Sequence, residues 1–555
     1  MLLLFFNCIS ATIHGQKLTL NASGESQHTT SVIDSLNYSK SHEDFKSLSS
    51  EVDSISKRLI KNGYIDTKLN QIIKENDSTY LAEFYLGDKI NAVKIYIKDN
   101  FDISILKSAG LKLSESLIEI KFSELETKLA TLNQVMAEQG DPFSQLKLND
   151  IKREHSNTLS ATLETTSNQK RTIDKIIVKG YEKFPKSYVK HFLKLKTGKS
   201  FNLTQIRKRS ATLQQLRFAK EVKEPEVLFT NDSTILYIYT EKSKSNNFDG
   251  FLGFGTNEGT NKLEFDGYLD LQLTNNLNYG ESLSLFYKSD EIDQQTIDIN
   301  ASLPFIFSSP IEINVGLNIF RKDTTFSTTS QFVKINYQIN PNHKIGAGIK
   351  GINSSNLLST SFSDLQDYSS NFYNLSYQFI RPQNYDFLFP VNMFFETSFG
   401  FGKRDNNSTV IDQTVLEIES FKIFNLNDRN SIFIKAKAVS LFSDNFLDNE
   451  LYRFGGINSI RGFEENSLVA NLYGVINTEY RYRLSNTIYV NSVLDAAYFE
   501  NDIVDSKTKL FGFGFGFGLL TNAGLFKLNY SSGKTEGQQF KISDSKVHIS
   551  LTARF

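Results

Sequence analysis

The sequence predicts small α+β repeats, each ordered β-α-α-β-β, followed by an all-β transmembrane barrel of about sixteen strands. Three observations carry this reading. The chain holds 46 Phe and 24 Tyr but no Trp and only 8 Pro. That aromatic load exceeds what a soluble core at 39% hydrophobic residues needs, and it suits the aromatic girdles of a membrane barrel. After the N-terminus no stretch approaches the ~18 consecutive apolar residues of a membrane helix, so any crossing is made by strands. The pattern also changes at EKSKSNN, residues 241–247. Helical periods mix with short strands before it, and period two dominates after it.

Composition removes several function classes. The net charge of -1 gives no bias toward nucleic acid. The single Cys, Cys8, excludes a disulfide framework and a thiolate metal centre, and the 7 His lack ligand spacing. No catalytic triad or cofactor motif is found in the sequence. The opening MLLLFFNCISATIHGQ places Leu2 to Ile9 as the apolar core of a signal peptide over residues 1–15, although no Lys or Arg precedes it. Cys8 follows Asn7 rather than a small residue, so a lipoprotein box is not expected.

Three repeats precede the break, at 16–90, 91–170 and 171–243. The third is the clearest. Ile173, Ile176 and Val178 mark a strand. Tyr188, Phe192 and Leu195 then share one helix face, ended by Gly198. Asn202 or Thr204 caps a second helix with Ile206, Leu213 and Leu216 inward. The strands VKEPEVLF and STILYIYTEK close the unit. The first repeat ends the same way, with the helix SEVDSISKRLIKNGYID before TKLNQIIKE and TYLAEFYLG. The second runs from AVKIYIK through FSELETKLATLNQVMAEQGD to SQLKLNDIKRE and LSATLETT.

Residues 247–555 read as the barrel. In LEFDGYLDLQL, Leu263, Phe265, Gly267, Leu269, Leu271 and Leu273 share one side, while Glu264, Asp266, Asp270 and Gln272 share the other. IEINVGLNIF, FVKINYQIN and FIKAKAVSLF repeat the theme, with turns at NNLNYG, LSNT and TNAG. In LFGFGFGFGLL, Phe511, Phe513, Phe515 and Phe517 face lipid, and Gly512, Gly514, Gly516 and Gly518 face the lumen. Glycine weakens a strand unless something approaches its backbone closely, so an object inside the barrel is expected at that wall.

That object is expected to be the loop 445–468, which carries Ile460, Arg461, Gly462 and Phe463 at its tip. An arginine flanked by apolar residues and folded into the lumen needs a carboxylate. Period two turns Glu479 and Arg481 inward in LYGVINTEYRYRL, and Asp495 inward beside Asn491 in the next strand. The tip, the wall of Gly512, Gly514 and Gly516, and Asp495 or Glu479 form one candidate network.

Several phrases resemble a known family. VKGYEKFPKSYVKHFLKLKTGKSFN and LIKNGYID resemble POTRA modules, the periplasmic repeats of the Omp85 superfamily. SIRGFEENS is similar to the tip of that family's sixth extracellular loop, and EYRYRL and VLDAAYF to the two strands after it. FGFGFGFGLLTNAGLFKLNYSSG resembles the penultimate hairpin, and VHISLTARF the terminal β-signal. The resemblance covers residues 16–555 and implies that Arg461 pairs with Asp495. One departure is LDAAY, where Ala497 stands at a position that is often Gly in the family.

The resemblance implies an outer-membrane assembly or insertion factor with its modules in the periplasm, a role that breaks no bond, so neither an enzyme nor a cofactor is expected. Its implied partners are unfolded outer-membrane protein clients, outer-membrane lipids, and periplasmic or lipoprotein accessory subunits; no nucleic acid is expected. Sheet edges of the modules and a lateral seam would receive clients. The seam is expected between a first strand weakened by Gly250, Gly253 and Gly255 and a last strand bearing Val547, Ile549, Leu551 and Phe555. The alternative in the same superfamily is a two-partner secretion translocator, which exports one dedicated partner through the lumen. Two modules and a Pro-rich linker are expected there, whereas this chain reads as three modules with no Pro before Pro142. A porin would lack the modules.

Overall fold

The computed structural model describes residues 17–554, apart from 99–100, 155–156, 167–169, 257–262, 290–293, 359–364, 384–385, 387, 407, 522–523 and 540–544. The expected signal peptide and Phe555 lie outside the described residues. The chain forms two compact units. One holds residues up to Ile173 with Gly198–Thr204, and the other holds Asp174–Thr197 with Gln205 onward.

The first unit contains two four-stranded sheets. In the first sheet Leu18–Gly24 runs parallel to Thr79–Tyr85, with Ser41–His42 outside the former and Lys68–Lys74 outside the latter. Helix Phe45–Lys61 covers this sheet. It starts at Asp44, whose side chain accepts from the Ser47 backbone at 2.7 Å. Its residues Leu48, Val52, Ile55 and Leu59 recur at helical spacing and pack with Leu20 and Ile33 in a buried core. The second sheet repeats the plan. Ala92–Ile97 is parallel to Thr158–Thr166, Leu117–Lys121 lies outside the former, and Gln145–Glu154 lies outside the latter. Helix Leu125–Glu138 contributes Leu132 and Met136 to its core. The opening strand Leu18–Gly24 and the two covering strands escaped sequence reading. The covering strands are only two and five residues long, and periodicity needs length; Leu18–Gly24 has only Leu18, Leu20 and Ala22 as apolar marks.

In the second unit, Lys175–Lys179 pairs in parallel with Thr234–Lys242, and Ala219–Phe229 closes a three-stranded sheet. The expected first helix of this module is a single π-helical turn, Tyr188–Phe192. Pro185 fixes its entry, and Lys194 ends it in the left-handed conformation with φ of +56°. The second helix, Leu203–Ser210, continues as a 3-10 turn through Gln215, with Ile206 and Leu213 buried.

The same unit holds a closed barrel of sixteen strands, from Asn247–Thr256 to Lys546–Arg554. Consecutive barrel strands are antiparallel. Along Phe326–Asn340, Val333, Ile335 and Tyr337 stand exposed on the outer face, an arrangement suited to lipid and not to water. The inner face is polar: Lys344 pairs with Glu312 at 2.7 Å, and Lys435 with Glu419 at 2.9 Å.

The three-stranded module is tied to the barrel's short turns. Tyr181 donates to Asn278 at 2.7 Å and accepts from Asn275 at 2.8 Å. Tyr188 donates to the Gly280 carbonyl at 3.1 Å and meets Phe305 edge-on at 4.7 Å. Lys194 reaches the Ile339 carbonyl at 2.6 Å. Burial raises the Tyr188 phenol well above its ordinary range, so it stays a donor at all physiological pH.

Candidate functional site at the inward loop

The loop 443–471 joins strands Asn430–Phe442 and Leu472–Arg483. Its stem is a small hairpin, Tyr452–Phe454 against Leu468–Ala470. Phe454 stacks on Tyr473 with ring centroids 4.4 Å apart and planes 6° from parallel. Ile460, Ala470, Val475, Ala497 and Leu510 complete a buried apolar cluster between loop and wall. Ile460 is fully buried, which explains an isoleucine at a loop tip.

That cluster delivers Arg461 to its partners. The Arg461 backbone nitrogen donates to Asp495 Oδ2 at 3.0 Å, Nε to the same oxygen at 2.8 Å, and Nη2 to Oδ1 at 2.6 Å. Nη1 donates to Glu479. Arg461 is 5% exposed and Asp495 1%, so the fork is a buried bidentate pair. Glu479 also accepts from Arg481 at 2.7 Å. The Arg481 guanidinium lies 4.3 Å from the Phe389 ring centroid and 4.0 Å from that of Phe433. Asn477 fixes the approach to the tip by donating to the Ser459 carbonyl at 2.7 Å.

The glycine wall acts differently from the sequence expectation. A Cβ on Gly512 would strike the Arg461 carbonyl, so this glycine admits the loop. Gly514 instead faces the backbone of Tyr530 and Ser531, and Gly516 faces Asn529 and Asn491. Those two serve close strand contacts and do not touch the tip. The missing half of the seat is Gly533, which lies under Gly462 and the Phe463 ring.

A second buried arginine was also missed. Arg404, 1% exposed, donates to Glu450 and Asn445 at the base of the loop. Glu450 further accepts from Gln413 at 3.0 Å and from the Leu447 backbone at 2.8 Å. The tip is therefore held by a loop arginine on wall carboxylates, and the base by a wall arginine on a loop carboxylate. In the sequence Arg404 stands in GKRDNN, which reads as the polar end of a strand.

Residues 171–242 match the POTRA family model, described as a surface antigen variable number repeat. Among solved structures, CdiB from Escherichia coli superposes with a TM-score of 0.54 at 12% identity, over 91% of this chain and 97% of its own. CdiB from Acinetobacter baumannii gives 0.53 at 14% identity, over 84% and 90%. BamA from Haemophilus ducreyi lacking POTRA domains 1-3 gives 0.49 at 13% identity, over 83% and 99%. No curated protein sequence matches the chain significantly. This chain has the Omp85 fold. An outer-membrane setting, with the Omp85 modules on the periplasmic side, goes with it.

The Omp85 barrel here closes unevenly. The first strand, Asn247–Thr256, pairs with the second at ten positions, among them Gly250 with Leu269, Gly253 with Asp266 and Gly255 with Glu264. The last strand, Lys546–Arg554, pairs with Gly524–Thr535 at eight positions, setting Val547 beside Tyr530, Ile549 beside Leu528 and Leu551 beside Phe526. First and last strands meet only at Asn247 with Arg554 and Phe248 with Ala553 among the described residues. Beside this seam the lumen holds a chamber of about 660 Å³, bordered by Asp249, Lys288, Arg461, Glu479 and Lys527.

Proposed function

We propose that this protein inserts unfolded β-barrel clients into the outer membrane through the lateral seam. The observation that carries the proposal is the seam itself. Among the described residues two residue pairs hold it, against ten and eight for the flanking strand pairs. An incoming strand has ladder groups to gain from both lips once those two pairs part.

The third module supports a receiving role. In the second module, strand Leu117–Lys121 covers the outer edge of Ala92–Ile97. The equivalent strand of the third module, Lys175–Lys179, has no covering strand among the described residues. A groove of about 570 Å³ runs there, with Ile176, Val178, Val189 and Leu195 on its floor and Lys186, Lys190 and Lys196 at its rim. An extended apolar segment with acidic flanks fits that edge. No step breaks a covalent bond, and no cofactor enters. Outer-membrane lipids border the seam, and periplasmic or lipoprotein subunits would dock on the modules.

Export of one dedicated partner through the lumen is the competing function. An export route that displaced the loop would break the buried Arg461 fork and the Arg404 anchor. Lateral insertion leaves both in place. The test is a lock on the seam, with Phe248→Cys and Ala553→Cys in a Cys8→Ser background. Oxidation should stop client insertion into lipid vesicles, and reduction should restore it; full activity in the oxidised form overturns the proposal. Depletion separates the two functions, since insertion predicts broad loss of barrel proteins and export predicts loss of one secreted partner.

A further inference from the structure

The tip sequence continues past the arginine as Glu464-Glu465, and the Arg461 network uses neither residue. Glu464 reaches Lys546 Nζ at 2.8 Å, at the start of the last barrel strand. Glu465 lies 3.5 Å from Lys288, near the end of the third strand, Ser282–Ser289. The closed strand order places the last, first, second and third strands side by side. Two adjacent loop residues thus grip strands on opposite sides of the seam.

Their position complements the backbone pairing. Asn247 begins the first strand and Arg554 ends the last, so the two paired positions sit at the module end of the seam. Lys546 and Lys288 sit at the other end of their strands, where no backbone pairing joins the first strand to the last among the described residues. The loop base does not shift with the tip, because Arg404 and Glu450 fasten it to the far wall. Phe463 and Gly462 rest on Gly533, one strand away from the seam.

We propose that Glu464 and Glu465 form an electrostatic clasp that closes the outer half of the seam from inside the lumen. The proposal rests on the seam as the client route and adds what regulates it. The strength of the clasp suits release. The Glu464 pair is half exposed and the Glu465 pair is about 30% exposed, and pairs of this kind are weak and sensitive to salt. The buried Arg461 fork stays made while the clasp opens, so the loop keeps its seat through a cycle. A client strand carrying its own charges competes for Lys546 and Lys288, and its arrival unfastens the seam.

The experiment uses the full chain in lipid vesicles, with Phe254→Cys and Val547→Cys in a Cys8→Ser background. These positions continue the antiparallel register of the two paired positions. The rate of disulfide formation reports closure of the outer seam. Combining Glu464→Gln with Glu465→Gln should slow it roughly threefold, as should salt at about 0.5 M on the parent. Exchanging the charges at one contact, Glu464→Lys with Lys546→Glu, should restore the parent rate. An unchanged rate in both the double variant and high salt overturns the clasp. A fully active chain locked through residues 248 and 553 overturns the seam route instead, and the two failures are read separately.

Discussion

Gly462 sits directly on the backbone of Gly533. A Cβ built on Gly462 would come within 2.5 Å of the Ser532 carbonyl carbon, and one built on Gly533 would come 2.6 Å from the Phe463 ring. Gly462 also has φ of +92°, a conformation that costs an L residue about 1–3 kcal/mol. Gly462→Ala therefore faces strain and collision together, while Gly533→Ala faces collision alone. Both should lift the tip from the wall, Gly462→Ala more. A cysteine at Ile460, which is fully buried, reports this through its thiol reactivity in the folded protein. Equal protection in both variants and the parent would show that the tip does not depend on the glycine pair.

Removal of Arg461 should cost more than removal of its main partner. In Arg461→Ala the Asp495 carboxylate, 1% exposed, loses all three hydrogen bonds described above. Stranding a buried charge costs about 3–5 kcal/mol. In Asp495→Asn, Arg461 keeps Glu479, so the loss should be smaller. Arg461→Lys should rescue poorly, because an ammonium cannot make the two-pronged contact. The temperature at which the folded barrel loses its fast gel migration measures each effect. The Arg461–Asp495 double variant should lose less than the two single losses added, and strict additivity contradicts the contact.

Tyr188 ties the third module to the barrel through one hydrogen bond and several rings. Tyr188→Phe removes only the bond to the Gly280 carbonyl, about 1 kcal/mol. Tyr188→Ala also empties the site packed by Phe184, Phe218 and Phe305, with an expected loss of about 3–5 kcal/mol. Hydrogen exchange at residues 275–281 and 185–195 should rise slightly in the first variant and strongly in the second. Similar exchange in both would assign the tie to something other than ring packing.

Glu221 gives the third module a pH dependence. Burial raises its carboxyl above the usual value, against the hydrogen bond it accepts from Ser210 at 2.5 Å and with a further push from Glu224. A carboxyl whose folded value lies above its unfolded value takes stability away as pH rises through that window, and has no effect below it. Glu221→Gln should therefore slow exchange across Ala219–Phe229 at neutral pH. The advantage should vanish near about pH 3, where both states bind the proton. Persistence of the advantage in acid would trace the effect to packing rather than ionisation.

The barrel was legible because its strands are long and alternate strictly, so Val333, Ile335 and Tyr337 separate from Lys334 and Asn336 by parity alone. Parity also placed Glu479 and Asp495 on the lumen face, while family resemblance supplied the pairing of Asp495 with Arg461. Parity cannot say how far along the wall a loop reaches. Gly514 and Gly516 thus looked equivalent to Gly512, although only Gly512 meets the loop. Gly533 lies near the end of strand Gly524–Thr535, where a lone glycine has no alternation to mark it as a seat for the loop. The Arg404–Glu450 anchor joins residues 46 positions apart in two polar segments, and no local pattern links such positions. The π-helical turn at Tyr188 depends on partners in barrel turns some ninety residues later, which helix periodicity does not see.

The inward loop also decides what the cell shows to its surroundings. Residues 443–471 form a long connection on the outer side of the barrel, yet Phe454, Ile460 and Arg461 are buried within it. The segment most distinctive in sequence is thus turned away from the outer surface. An antibody raised against the peptide 455–465 should bind the denatured chain and pass over the folded one.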